Sequence, residues 1–163
     1  MRSGTVKVIV LGNPDRGDDG AAMVVGARIQ DRVQVVLAGR PGPSLLDLLP
    51  EDEVCILMDV TCSGAPPGTI RKVPLSQLTP ELLPDLRLSS HGFGAGETLA
   101  LARALGRSLP TGYFLGIEGE RYELGGGFSP AVEEKLTPLE TLLEETVRSL
   151  ARFAAPPAKG TTG

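Results

Sequence analysis

Three acids crowd one short loop of this sequence: Asp15, Asp18 and Asp19, within Gly12-Asn13-Pro14-Asp15-Arg16-Gly17-Asp18-Asp19-Gly20. A further acid, Asp59, follows the apolar run Val54-Cys55-Ile56-Leu57-Met58. The chain's one histidine, His91, stands in Ser89-Ser90-His91-Gly92-Phe93-Gly94. Two carboxylates and an imidazole form a borderline donor set, suited to a divalent transition metal with coordination positions left open. The set does not say which metal. Each residue also has a plainer reading. Asp is a favoured helix N-cap, and its charge is stabilised by the helix dipole. Capping accounts for one of Asp18 and Asp19 but does not need both, nor Asp15. Asp59 alone reads as a turn or cap residue, and His91 alone as an exposed loop histidine. Jointly the plain readings weaken, because three separate accidents would have to point at one crevice.

The shared crevice follows from the elements that must carry these residues. Val6 to Leu11 reads as a strand running into the acidic loop, whose glycines permit tight turns. A helical pattern follows from about Ala21 to Gln30. Val33 to Leu37 is a second β-branched run, broken by Ala38-Gly39-Arg40-Pro41-Gly42-Pro43. Ser44 then stands where it could cap a short helix through Leu49, stopped by Pro50. The run Val54 to Met58 is apolar on both faces, the mark of a central strand in a covered parallel sheet. It is expected to stop at Asp59. Thr69 to Val73 reads as another strand and a candidate for the edge. Leu75 to Leu88 reads as irregular, with short helical turns.

A helix is expected from about Glu97 to Leu105, stopped by Gly106, and a strand over Tyr113 to Ile117. Ser129-Pro130 starts a helix with proline at its first position. Thr137-Pro138-Leu139-Glu140 repeats the signal with capping-box spacing, so the last helical region is kinked or double. Leu139, Leu142, Leu143, Val147 and Leu150 give it one apolar face. Strands alternating with helices predict an α/β fold. One domain over residues 1–154 would hold a mostly parallel twisted sheet of about five strands, with helices on both faces. Residues 155–163 are small and rich in Pro and Gly, and are expected to be disordered. In such sheets ligands sit beyond the carboxyl ends of the strands. Asp19, Asp59 and His91 would meet at that edge.

Composition narrows the remainder. The formal net charge is −4, and no basic residues cluster, so nucleic acid is not an expected partner. Cys55 and Cys62 do not make a disulfide framework. Cys55 reads as a small buried hydrophobe, and Cys62 as a turn residue near Asp59 that is a candidate to border a site. No signal peptide is visible, and no stretch approaches the roughly 20 apolar residues that span a bilayer. A reducing cytoplasm is the expected home. No exposed apolar stripe is evident, so a monomer is expected. His-Glu-x-x-His and Gly-x-Ser-x-Gly are absent, which removes the common zinc-protease and serine-hydrolase arrangements. The first loop has no phosphate-binding Lys-Ser/Thr ending and no full Gly-x-Gly-x-x-Gly, so nucleotide binding has no motif behind it. Ser89 and Ser90 near His91 are weak nucleophile candidates.

Gly12-Asn13-Pro14, Gly17-Asp18-Asp19-Gly20, a strand ending in Asp59, and Ser90-His91-Gly92 together resemble the hydrogenase maturation proteases. The resemblance runs from about Val6 to the last helix, taking in Gly119 and Phe128-Ser129-Pro130. It implies an endopeptidase that trims the C-terminus of the [NiFe]-hydrogenase large-subunit precursor. It also implies that Asp19, Asp59 and His91 contact metal, with Asp19 in place of a position that is often Glu. The metal would be nickel, brought by the precursor as the recognition element rather than held as a resident cofactor. Other divalent ions would be expected to bind the same residues at high concentration. The loop with Gly39 and Arg40 would border substrate recognition. Arg40 would pair there with a carboxylate or carbonyl of the substrate tail, or else be a solvated loop arginine, the reading preferred here. Two rivals stay open: a peptidase on the same scaffold with another substrate, and a non-enzymatic small-ligand-binding module. In the latter, a helix N-terminus would hold an anion, against which the crowded acids argue.

Overall fold

The computed structural model describes residues 5–86 and 94–154. Five strands form one sheet in the order β2-β1-β3-β5-β4. They are β1 (Lys7–Leu11), β2 (Gln34–Gly39), β3 (Val54–Thr61), β4 (Ile70–Pro74) and β5 (Thr111–Glu118). The pairs β1 with β2, β1 with β3 and β3 with β5 are parallel, while β4 lies antiparallel on β5 at one edge. The expected mostly parallel five-stranded sheet is therefore what forms.

Alternation along the strands sorts the core into two layers. Val8 and Val10 of β1, Ile56 and Met58 of β3, and Leu115 and Ile117 of β5 pack with α1 (Ala21–Ile29) and with Leu139, Leu143 and Leu150 of α5 (Leu136–Ala154). Ile9, Leu11, Cys55, Leu57 and Phe114 pack on the opposite face. Their partners there are Leu45 of α2 (Leu45–Leu48) and Ala95 and Leu99 of α3 (Ala95–Ala104). Helices thus cover both faces, which is why the central strands carry apolar residues at successive positions. Leu75 and Leu78 plug the second layer from a short 3-10 turn, Leu75–Gln77, inside the proline-punctuated stretch.

Several boundaries differ from the sequence reading; β2, for one, runs on through Ala38 and Gly39. Strand β3 does not stop at Asp59 but continues through Thr61, because β5 pairs with it residue by residue as far as Glu118. Helix α3 starts at Ala95, two residues early, with the Glu97 carboxylate accepting from the Gly94 N–H at 2.9 Å. The last helical region is double, one of its two expected forms: α4 (Pro130–Glu133) is a single turn, and α5 runs separately from Leu136, ahead of the expected cap. Thr137 is therefore inside α5 rather than its cap. Glu140 turns instead to Arg28 on α1, at 3.2 Å, beside an Arg32–Glu144 pair at 2.6 Å. Gly106 stops α3 as expected, at φ +73°. Among the described residues, no helix is long and apolar enough to cross a membrane.

Candidate active site

The strand order fixes where a crevice opens. The chain leaves β1 for β2 on one side, then crosses back over β1 to reach β3 on the other. Connections leaving β1 and β3 diverge, and in open α/β sheets that divergence is where a crevice forms beyond the strands' carboxyl ends. The loop after β1 carries Asp18 and Asp19 on a 3-10 turn, Gly17–Gly20. That turn packs against β3, the strand that carries Asp59.

The loop holds its shape by knotting on itself. Gly12 sits at φ +138°, and a Cβ there would run into the carbonyl oxygen of Asp19. Only glycine allows this approach. The next residue, Asn13, uses its N–H toward both the carbonyl and the Oδ2 of Asp19, at 3.1 and 3.0 Å. Gly17, at φ +53°, leaves room for the Arg121 carbonyl, which a Cβ would meet at 2.6 Å. The Gly12 N–H also donates to the Gly39 carbonyl at 2.9 Å, tying the ends of β1 and β2 together.

The two adjacent acids do different work. Asp18 is fully buried and faces the last third of the chain. Its Oδ1 accepts from the Ser129 N–H at 2.7 Å. Its Oδ2 accepts from the Ser129 hydroxyl at 2.7 Å and from the N–H groups of Glu120 and Arg121 at 2.8 and 2.9 Å. It fastens the first loop to the β5–α4 connection. Neither it nor Asp19 makes a side-chain cap on the helix that follows, so the capping reading fails for both. Asp19 also has a nearly buried side chain, 3% exposed, but it turns toward β2. There its Oδ2 accepts from Arg40 Nη1 at 3.1 Å. Arg40, 46% exposed, is thus engaged with the site rather than merely solvated.

Asp59 is partly buried on β3, opposite Gly116 of β5. Its Oδ1 accepts from the Val60 N–H at 2.7 Å. By alternation it faces the α3 layer with Cys55 and Leu57. It lines a small cleft there with Cys62, Asp85, Glu97 and Phe114. Cys62 does border the candidate site. His91, Ser89 and Ser90 lie outside the described residues. Among the described residues, no three His, Cys, Asp or Glu side chains group as a metal site.

Glu118 was not anticipated. It is buried at the end of β5, with Oε1 accepting from the Thr61 and Ser63 hydroxyls at 2.8 Å each. Its Oε2 accepts from the N–H groups of Ser63 at 2.8 Å and Gly64 at 3.2 Å. It pins the turn that follows Asp59. Its sequence signal, a lone acid closing an apolar run, is the same one that drew attention to Asp59.

Comparison with known proteins decides what this arrangement belongs to. A family model described as hydrogenase maturation protease matches residues 24–146, well over half of the chain. The chain belongs to the hydrogenase maturation protease family. Among the family's curated proteins, the hydrogenase expression/formation protein HupD of Thiocapsa roseopersicina is 28% identical over 155 residues, 91% of this chain and 68% of that protein. Solved maturation proteases share the fold. The hydrogenase maturating endopeptidase HybD of E. coli superposes with a TM-score of 0.70 at 20% identity, over 89% of this chain and 93% of that one. The [NiFe] hydrogenase maturation protease HybD of Thermococcus kodakarensis gives 0.67 at 24% identity, over 86% and 97%. The matched span of the family model includes Asp59 and His91 and begins after the acidic loop.

One thiol of this maturation protease is set apart from the site. Burial pushes Cys55 from 9.0 up to about 12, which keeps it a neutral thiol and a poor nucleophile. Cys55 is therefore expected to resist maleimide in the native protein at pH 8 and to react fully once denatured, as mass spectrometry would read. The raised value also makes a stabilising contribution that is complete below about pH 9 and is lost as pH rises toward about 12.

Proposed function

We propose that this protein is an endopeptidase that removes the C-terminal extension of a nickel-loaded [NiFe]-hydrogenase large-subunit precursor. One observation carries the reading most of the way. Asp19, on the turn that follows β1, and Asp59, near the end of the adjacent parallel strand β3, stand toward the sheet edge where the strand order opens a crevice. Family membership gives that crevice a class of reaction, and the resemblance read in the sequence adds His91 as a third donor.

Nickel is cargo of the substrate in this scheme. Asp19, Asp59 and His91 bind the ion that the precursor presents, and so dock the protease beside the scissile bond. Donors held on strand ends and a knotted loop need little ordering on binding, which favours productive orientation. The Asn13 N–H and the Val60 N–H fix one carboxylate each. Two routes to hydrolysis fit the residues. The metal polarises the scissile carbonyl or a water, or one of Asp19 and Asp59 takes a proton from the attacking water as general base.

A gel assay on the nickel-loaded precursor tests the proposal. The parent protein should shorten the precursor, and a precursor without nickel should stay intact. His91→Ala should fold normally and leave the loaded precursor uncut. Complete processing by His91→Ala, or equal cutting of the nickel-free precursor, would defeat the reading.

A further inference from the structure

The contact between Arg40 and Asp19 joins two groups with unequal freedom. The Asp19 side chain is 3% exposed and tethered to the Asn13 N–H, whereas the Arg40 side chain is 46% exposed. Arg40 directly follows Gly39, whose carbonyl is pinned to the Gly12 N–H. The backbone at the root of the arginine is thus held at the site while its long side chain reaches in from solvent. A half-exposed guanidinium pairs weakly and exchanges with water. A nearly buried carboxylate, in contrast, is costly without a cationic partner.

From this we infer that Arg40 is a displaceable counterion that gates metal access to Asp19. A divalent cation and the guanidinium compete for one carboxylate, since two positive groups at the same oxygen repel each other. A free ion must displace Arg40 with its own binding energy alone. An ion held in the precursor arrives with the docking energy of a protein surface as well. The arginine therefore biases the site toward metal presented by substrate. The inference rests on the reading of Asp19 as a metal-binding residue, and adds to it a device for rejecting loose ions. The sequence made Arg40 a candidate for the substrate's carboxylate; the geometry gives it a carboxylate of its own chain.

Calorimetric titration of Ni²⁺ into the isolated full chain tests the gate without any hydrolysis. Arg40→Gln, which keeps length and polarity but removes the charge, should bind Ni²⁺ about threefold to fivefold more tightly than the parent, the upper part of the range open to a half-exposed ion pair. Arg40→Lys, which keeps the charge, should stay within about twofold of the parent. Unchanged or weaker binding by Arg40→Gln, with a normal circular dichroism spectrum, overturns the gate. Asp19→Asn separates the two levels. If it abolishes Ni²⁺ binding while Arg40→Gln fails to tighten it, the gate falls and the metal site stands. If Asp19→Asn binds Ni²⁺ like the parent, the ion is elsewhere, and both the site and the gate fall.

Discussion

Asp18→Ala should melt roughly 10 °C below the parent protein, a loss of about 4 kcal/mol for a domain of this size. The reason is the number of donors that the carboxylate serves. Ser129 through both its N–H and its hydroxyl, and Glu120 and Arg121 through their N–H groups, all converge on it at 2.7 to 2.9 Å. Removing the acceptor strands the two buried donors of Ser129, each costing roughly 1–3 kcal/mol when left unmet, and two part-buried N–H groups that water partly relieves. Ser129→Ala deletes a single donor and leaves the carboxylate three partners, so it should cost only about 1 kcal/mol. Thermal unfolding followed by circular dichroism distinguishes the two. If Asp18→Ala melted within about 2 °C of the parent, the carboxylate would not be the fastening that joins the first loop to the β5–α4 connection.

The neighbouring acid should behave in the opposite way. Asp19→Asn keeps the shape and an oxygen for the Asn13 N–H, and gives up a pair with a half-exposed arginine. Such pairs contribute about 1 kcal/mol or less, so the melting temperature should fall by only a few degrees. Processing of the nickel-loaded precursor should fall at least about a hundredfold, the upper end of what is lost when a residue behind a metal ligand is changed. Asp59→Asn should match it. The measurement is the initial rate of precursor shortening at equal enzyme, with folding checked by the melt. A variant at Asp19 that processes at the parental rate would remove this carboxylate from the chemistry.

Adjacent positions with exchanged sensitivities, stability at one and activity at the other, show how far local reading goes. Both acids precede the same glycine and the same helix, and the sequence offers capping for either. The partners that tell them apart, Arg40, Glu120, Arg121 and Ser129, lie 21 to 111 residues away along the chain. The periodicity of apolar residues placed every strand and most helices, because burial on one or both faces leaves its mark residue by residue. It misplaced the end of β3, because strand length there is set by the pairing of Thr61 with Glu118, which no local pattern encodes. Glu118 went unread for the same cause: its four donors belong to the end of another strand and the turn after it.

The amino-acid sequence alone thus determined the layered α/β architecture and the family resemblance. It also placed Asp19 in the loop after the first strand and Asp59 toward the end of the central one, since turn glycines and apolar alternation act over a few residues. Only the tertiary structure decided that Asp18 is a fastener, that Arg40 leans on Asp19, and that Glu118 braces the turn beyond Asp59. Those roles depend on which polar groups are brought within hydrogen-bond reach once distant segments share a buried space, where an unmet donor or charge is costly.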